Sequence, residues 1–167
     1  MPLYLWSTMA EDGESAWDIG RRRARREEGG FSYRNAQVLD LDGTVLACLI
    51  GYPLPDRPAV IDYDNTPAMF VPLEELEQLA PGTWYVNVLA AEPRTRGQGF
   101  GTRLLSVADE LAAANGKAGL SLITSDTNSG AQRLYERCGY RVVSDRKMVK
   151  DGWQSDSERW LLMTKTL

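Results

Sequence analysis

A chain of 167 residues, 43% hydrophobic and 25% charged, has the make-up of one globular domain over residues 1–167, able to bury about 70% of the surface its unfolded form exposes. Its net charge of −4 and lack of any apolar run near ~20 residues argue against a nucleic-acid or membrane partner, with the cytoplasm as default compartment. With no histidine and only Cys48 and Cys138, the chain excludes Ser-His and Cys-His nucleophile pairs, and no metal site is expected.

At the N-terminus, Leu3-Tyr4-Leu5-Trp6 offers a short strand and lacks the basic region of a secretory leader. Residues 15–28 read as a helix, with Ser15 or Glu14 near its start and Gly29-Gly30 at its end. Its run Arg21-Arg22-Arg23-Ala24-Arg25-Arg26 is the most basic patch of the chain. Nucleic-acid binding is one reading of that run; a solvated helix face, offset by Glu27 and Glu28 and without interleaved aromatics, is the simpler one. Residues 36–41 and 44–52 are apolar-rich around Asp42-Gly43, the pattern of a hairpin with a tight turn. A proline-rich loop over 53–67 holds Asp56, Asp62 and Asp64, and residues 72–79 read as a short helix with Pro72 in its first turn.

Residues 84–91 read as a buried strand. They lead into Arg96-Gly97-Gln98-Gly99-Phe100-Gly101-Thr102, and residues 102–115 then read as an amphipathic helix with Leu104, Leu105, Ala108, Leu111 and Ala112 on one side. Three glycines at alternate positions bare the backbone, and a helix beginning there adds unpaired N–H groups and the positive end of its dipole. That combination is a cradle for a phosphate or pyrophosphate. Asn115-Gly116 stops the helix, and residues 120–124 are the next strand. Asn128 is a plausible N-cap for a helix reaching Cys138, with Gly139 beyond it, and 140–149 and 159–167 close the chain as strands. A strand, a helix and a strand in succession place 84–91 and 120–124 parallel with a right-handed crossover, in a mixed α/β sheet.

Two familiar glycine signatures fail on this loop. The dinucleotide fingerprint Gly-x-Gly-x-x-Gly would need its third glycine at Thr102 or Leu104, and the nucleotide P-loop needs a lysine where the first one past Gly101 is Lys117. The loop resembles instead the pyrophosphate loop of the GNAT superfamily of N-acetyltransferases, Gln/Arg-x-x-Gly-x-Gly/Ala, as Arg96-Gly97-Gln98-Gly99-Phe100-Gly101. Upstream, Leu89-Ala90-Ala91-Glu92-Pro93 resembles the family's strand end and proline. Downstream, Asn128, Ala131, Leu134, Tyr135, Gly139 and Tyr140 match its Asn-x-x-Ala-x-x-Leu-Tyr-x-x-x-Gly-Phe segment. Arg94-Thr95-Arg96-Gly97-Gln98-Gly99 satisfies the loop pattern as well; the later register is preferred because it sets the final glycine directly before the helix.

The resemblance implies a mostly antiparallel sheet flanked by helices, whose central parallel pair splays to admit acetyl-CoA. The N–H groups of Gly97, Gly99, Gly101 and Thr102 would hold the pyrophosphate, with Gln98 and Phe100 in the same loop and Arg96 adding charge. Leu89, Ala90 and Ala91 would lie along the pantetheine arm, with the backbone of Leu89 and Ala91 pairing to it. The N–H of Leu89 would face the developing oxyanion, and Asn128 would cap its helix, touch the cofactor, or both. Tyr135 would be the general acid for the leaving thiolate, and a primary amine of a small molecule or protein the acceptor, attacking directly in a ternary complex. A homodimer is left open.

Some relatives place a glutamate on the strand before the loop. Here that stretch is Thr83-Trp84-Tyr85-Val86-Asn87-Val88, without a carboxylate, and Asp56, Asp62, Asp64 and Glu92 are the remaining bases to consider. That gap favours the alternative of a catalytically silent CoA-binding sensor or interaction module.

Overall fold

A strand, a long helix and a second strand set the centre of the molecule. β3 (Trp84–Ala91) and β4 (Gly119–Ser125) are joined through α4 (Phe100–Ala114) and run parallel, as the strand–helix–strand order requires. Around them β1 (Ala36–Leu41), β2 (Thr44–Pro53), β5 (Arg141–Lys147) and β6 (Arg159–Thr166) complete a six-stranded sheet in the order β1-β2-β3-β4-β6-β5, antiparallel at every other junction. The computed structural model describes residues 2–167, which also form helices α1 (Pro2–Thr8), α2 (Ala16–Ala24), α3 (Val71–Glu77) and α5 (Ser129–Arg137). This is the expected α/β class, a mostly antiparallel sheet with helices on both faces.

One face of the sheet is covered by α4, whose Leu104, Leu105, Ala108 and Ala112 are buried against Leu49, Trp84, Val86, Leu120, Leu122 and Met163. These are four of the five residues that the 3.6-residue period puts on one side of α4; the fifth, Leu111, is half-buried against the same core. α3 closes the opposite face, where Leu76 and Ala80 bury Leu162. The β1–β2 hairpin turns through Asp42 and Gly43, both at positive φ (51° and 80°), as a tight two-residue hairpin turn requires.

The opening segment departs from expectation. Residues 3–6 belong to helix α1, not to a strand, and among the described residues no strand precedes β1. Pro2 suits a first helical turn, and the Ser7 and Thr8 hydroxyls donate to the carbonyls of Tyr4 and Leu5 at 2.7 and 2.8 Å. Packing decides the matter: the Trp6 ring lies on Gly20 of α2, where an added Cβ would come within 2.6 Å of it.

α2 is also shorter than the expected 15–28. Ser15 begins it in a capping box with Asp18, whose carboxyl the Ser15 hydroxyl and amide hold far below the usual carboxylate range. It ends at Ala24 with Arg25 as its C-cap, and the expected stop at Gly29-Gly30 falls in the following loop, where Asn35 Nδ2 donates to both glycine carbonyls and the Gly30 backbone passes tightly over the Tyr52 ring. Arg21 and Arg22 of the basic run are paired with Asp18 and Glu14.

Candidate active site

β3 and β4 pair only at their first residues, Trp84–Leu120, Tyr85–Ser121 and Val86–Leu122, and then diverge. The expectation of a wholly buried strand therefore holds for Trp84, Tyr85 and Val86, while the second half of β3 is half-buried or exposed. On its other side β3 pairs with β2, and the register slips where Ile50 faces Val88 but Gly51 faces Val86. Asn87 is the extra residue of a β-bulge. The bulge resets side-chain parity, so Leu89 and Ala91 pack toward the same core as Trp84 and Val86. Beyond it, the Glu92 N–H donates back toward β2, to Leu46 at 2.9 Å. Alternation then aims the polar backbone groups of Leu89 and Ala91 the other way, into the gap that β4 leaves.

The glycine loop forms the end wall of that gap. Gly97 and Gly99 both adopt left-handed φ (79° and 84°), and Gly99 is the N-cap of α4, its carbonyl accepting from Arg103 N–H at 3.0 Å. The helix thus starts at Phe100, two residues before the expected Thr102, and Gly101 lies inside its first turn instead of directly before it. The placement that favoured the later loop register belongs to Gly99. Gly101 answers a different need, since a Cβ there would sit 2.8 Å from Leu134 Cδ2 where α4 meets α5. Among the described residues, no protein acceptor meets the N–H groups of residues 97–102. A run of unpaired donors at a helix start suits an anion.

The resulting cleft has a volume of about 670 Å³ and gathers every cofactor-contact and general-acid candidate named from the sequence except Gln98, which does not line it; none of the four candidate bases lines it either. α5 supplies the far wall. Gly130, Ala131, Leu134 and Arg137 join Tyr135 there; the sequence reading did not single out Gly130 or Arg137, although their three- and four-residue spacing marks one helix face. Asn128 caps α5, its Oδ1 accepting from Ala131 N–H at 3.4 Å, which leaves its amide donors free. Arg96 Nε reaches the Ala91 carbonyl at 3.4 Å, so the loop arginine rests on the open edge of β3. Tyr135 is 8% exposed, its ring 6.0 Å from that of Tyr140, and burial pushes its hydroxyl above the ordinary tyrosine value.

The family model for the acetyltransferase (GNAT) family matches residues 3–140. The chain belongs to the GNAT acetyltransferase family. A curated relative, the Uncharacterized N-acetyltransferase YhfO of Bacillus subtilis (strain 168), is 42% identical over 57 residues, which are 34% of this chain and 38% of that protein. The match therefore spans well under half of that relative's length. Among solved structures, Ard1 from Thermoplasma volcanium is similar with a TM-score of 0.59 at 15% identity, over 96% of this chain and 84% of that one. A GNAT family acetyltransferase from Elizabethkingia anophelis with acetyl-CoA bound gives a TM-score of 0.56 at 17% identity, over 79% and 75%. At such identities the likeness is one of fold.

The other face of this GNAT sheet holds carboxylates and tyrosines. Of the four carboxylates considered from sequence, Asp56 is paired with Lys117 at 2.6 Å and Asp62 holds Asn65 at 2.7 Å, and neither Asp64 nor Glu92 lines the cleft. The group that the sequence reading missed is Glu77, at the end of α3. Burial pushes its carboxyl up to about 7, against a hydrogen bond from Tyr85 that lowers it. Tyr85 stacks edge-on against Tyr52 (5.7 Å between ring centroids), and Asn87 Nδ2 donates to the Tyr52 hydroxyl at 3.0 Å. A signal was present: Pro72 and Leu76 are the buried residues of α3, and Glu77 adjoins Leu76.

Proposed function

We propose that this chain is an acetyl-CoA-dependent N-acetyltransferase that acetylates a primary amine of a small molecule or protein by direct attack in a ternary complex. The observation that carries the reading is the row of unpaired N–H groups over residues 97–102, set at the end of a cleft walled by the free edge of β3. Such donors suit a diphosphate, and Arg96 adds a cation at the same end once it leaves the Ala91 carbonyl. Leu89 and Ala91 offer backbone groups spaced to pair with the amides of a pantetheine arm.

The bound thioester supplies the activated acyl group; the rest is the work of this chain. The Leu89 N–H, aimed into the gap, faces the oxygen that gains charge as the amine adds. Tyr135 lines the same cleft, and within the described residues no hydrogen bond engages its hydroxyl. Its raised pKa keeps it protonated at working pH, so it donates a hydrogen bond to the departing sulfur and tightens as negative charge forms there. Asn128 keeps its amide donors for the ligand while its oxygen caps α5.

Mixing the protein with acetyl-CoA and a panel of primary amines, while following free thiol, tests the reading. Thiol release that depends on both substrates is the expected outcome, with Tyr135→Phe lowering kcat about 10²-fold and leaving CoA affinity nearly unchanged. An unchanged kcat in that variant removes Tyr135 from the reaction. CoA binding with no thiol release across the panel selects the silent binding module, which the absence of a carboxylate on β3 favours.

A further inference from the structure

An ammonium with a pKa near 10 must lose a proton before its nitrogen can attack. β3 has no carboxylate to accept one, and Asn87 has no basic group. α3 brings a carboxylate to that strand from outside it. The Tyr85 hydroxyl bears on the Glu77 carboxyl and holds it down against burial, and Tyr85 is 6% exposed on the part of β3 still paired to β4. Its ring meets Tyr52, whose hydroxyl accepts from Asn87 at the bulge. The line Glu77, Tyr85, Tyr52, Asn87 therefore runs across the face opposite α4 and ends two residues from Leu89. Glu77 also lines a separate cavity of about 250 Å³ with Glu74, Gln78 and Arg57, which gives its carboxyl a route to solvent.

We propose that Glu77 is the proton-accepting carboxylate for the acceptor amine, acting through the Tyr85 hydroxyl; this rests on the N-acetyltransferase reading above. An N–H bond of the ammonium breaks and its proton passes to the Tyr85 oxygen, while the Tyr85 O–H proton moves to a Glu77 oxygen. The freed nitrogen lone pair forms the C–N bond, the C–S electron pair leaves with sulfur, the second proton of that nitrogen passes to the sulfur to leave a neutral amide and a free thiol, and Glu77 returns its own proton to water through the cavity. Charge placement is consistent. Tyr85 faces Glu77 from β3, Tyr52 bears on it from β2 and Glu74 from its own helix, whereas Arg146 of β5 is taken by Glu75. Burial in that setting moves the carboxyl to about 7, where it exchanges protons at neutral pH.

Glu77→Gln tests the idea, with spermidine, tyramine and a lysine-containing peptide as acceptor probes. In the parent protein kcat/KM should rise with pH through a limb near 7 as Glu77 ionises. The variant should lose that limb and about 10²-fold in kcat, while CoA affinity by calorimetry stays within twofold. Tyr85→Phe should move the limb upward, because it removes the hydrogen bond that holds the Glu77 carboxyl down. Folding gives an internal control with its own sign. A carboxyl raised in the folded state stabilises below pH 4.5 and loses that stability as pH rises through about 7, so Glu77→Gln should melt higher than the parent at pH 8 and not at pH 5. An active parent with a limb and kcat unchanged in Glu77→Gln overturns this proposal alone. A parent that binds CoA and releases no thiol with any probe overturns the enzymatic reading, and this proposal with it.

Discussion

Two glycines of one loop are glycine for different reasons, and substitution separates them. At Gly99 nothing lies within 4 Å of an added Cβ, but φ is +84°, so Gly99→Val strains the backbone by about 1–2 kcal/mol and places methyl groups over the unpaired N–H donors. We expect a CoA Kd at least 10-fold weaker by calorimetry, with a small drop in Tm. Gly101→Val meets Leu134 at 2.8 Å where α4 packs on α5, so its main effect is a larger loss of stability. Unaltered CoA affinity in Gly99→Val would dismiss the loop as the ligand's cradle. The sequence marked both glycines as one motif. The division of labour between φ and close approach was not legible there, because Leu134 is distant in the chain.

At the scale of elements, the Asn128 cap of α5 also lines the cleft, and the proposed ligand contact would use the amide that capping leaves free. Asn128 spends its oxygen on the helix and keeps its amide for the cleft. Asn128→Ala should cost about 1 kcal/mol of stability in urea unfolding and weaken CoA binding. Asn128→Asp caps equally well, so it should keep stability within about 0.5 kcal/mol yet lose affinity through the missing donor. Equal affinity in the Asp variant would leave Asn128 a cap only. The cap, the stop at Gly139 and the apolar stripe of α4 were all legible, since each is set by residues within a turn or two of helix. Residues 3–6 were not: a short apolar run suits strand or helix alike, and the Trp6 ring on Gly20 decided for helix.

The whole molecule is a sheet covered on both faces, with the cleft of the proposed reaction at the place where its two parallel strands part. Leu162 is fully buried beneath α3, on the face opposite α4. Leu162→Ala should lower the urea-unfolding free energy by about 2–5 kcal/mol. A loss below 1 kcal/mol would mean that α3 is loosely held, and with it Glu77.

By itself the sequence determined the glycine loop, the helix that follows it, the parallel direction of β3 and β4, and the place of Tyr135 on α5, because each is written in residues contiguous along the chain. Only the tertiary structure decided the bulge at Asn87, the helical opening segment, and the meeting of Glu77 with Tyr85 and Tyr52. Those depend on side chains brought together by packing across the sheet, and no local period or spacing encodes which distant neighbour a buried group will face.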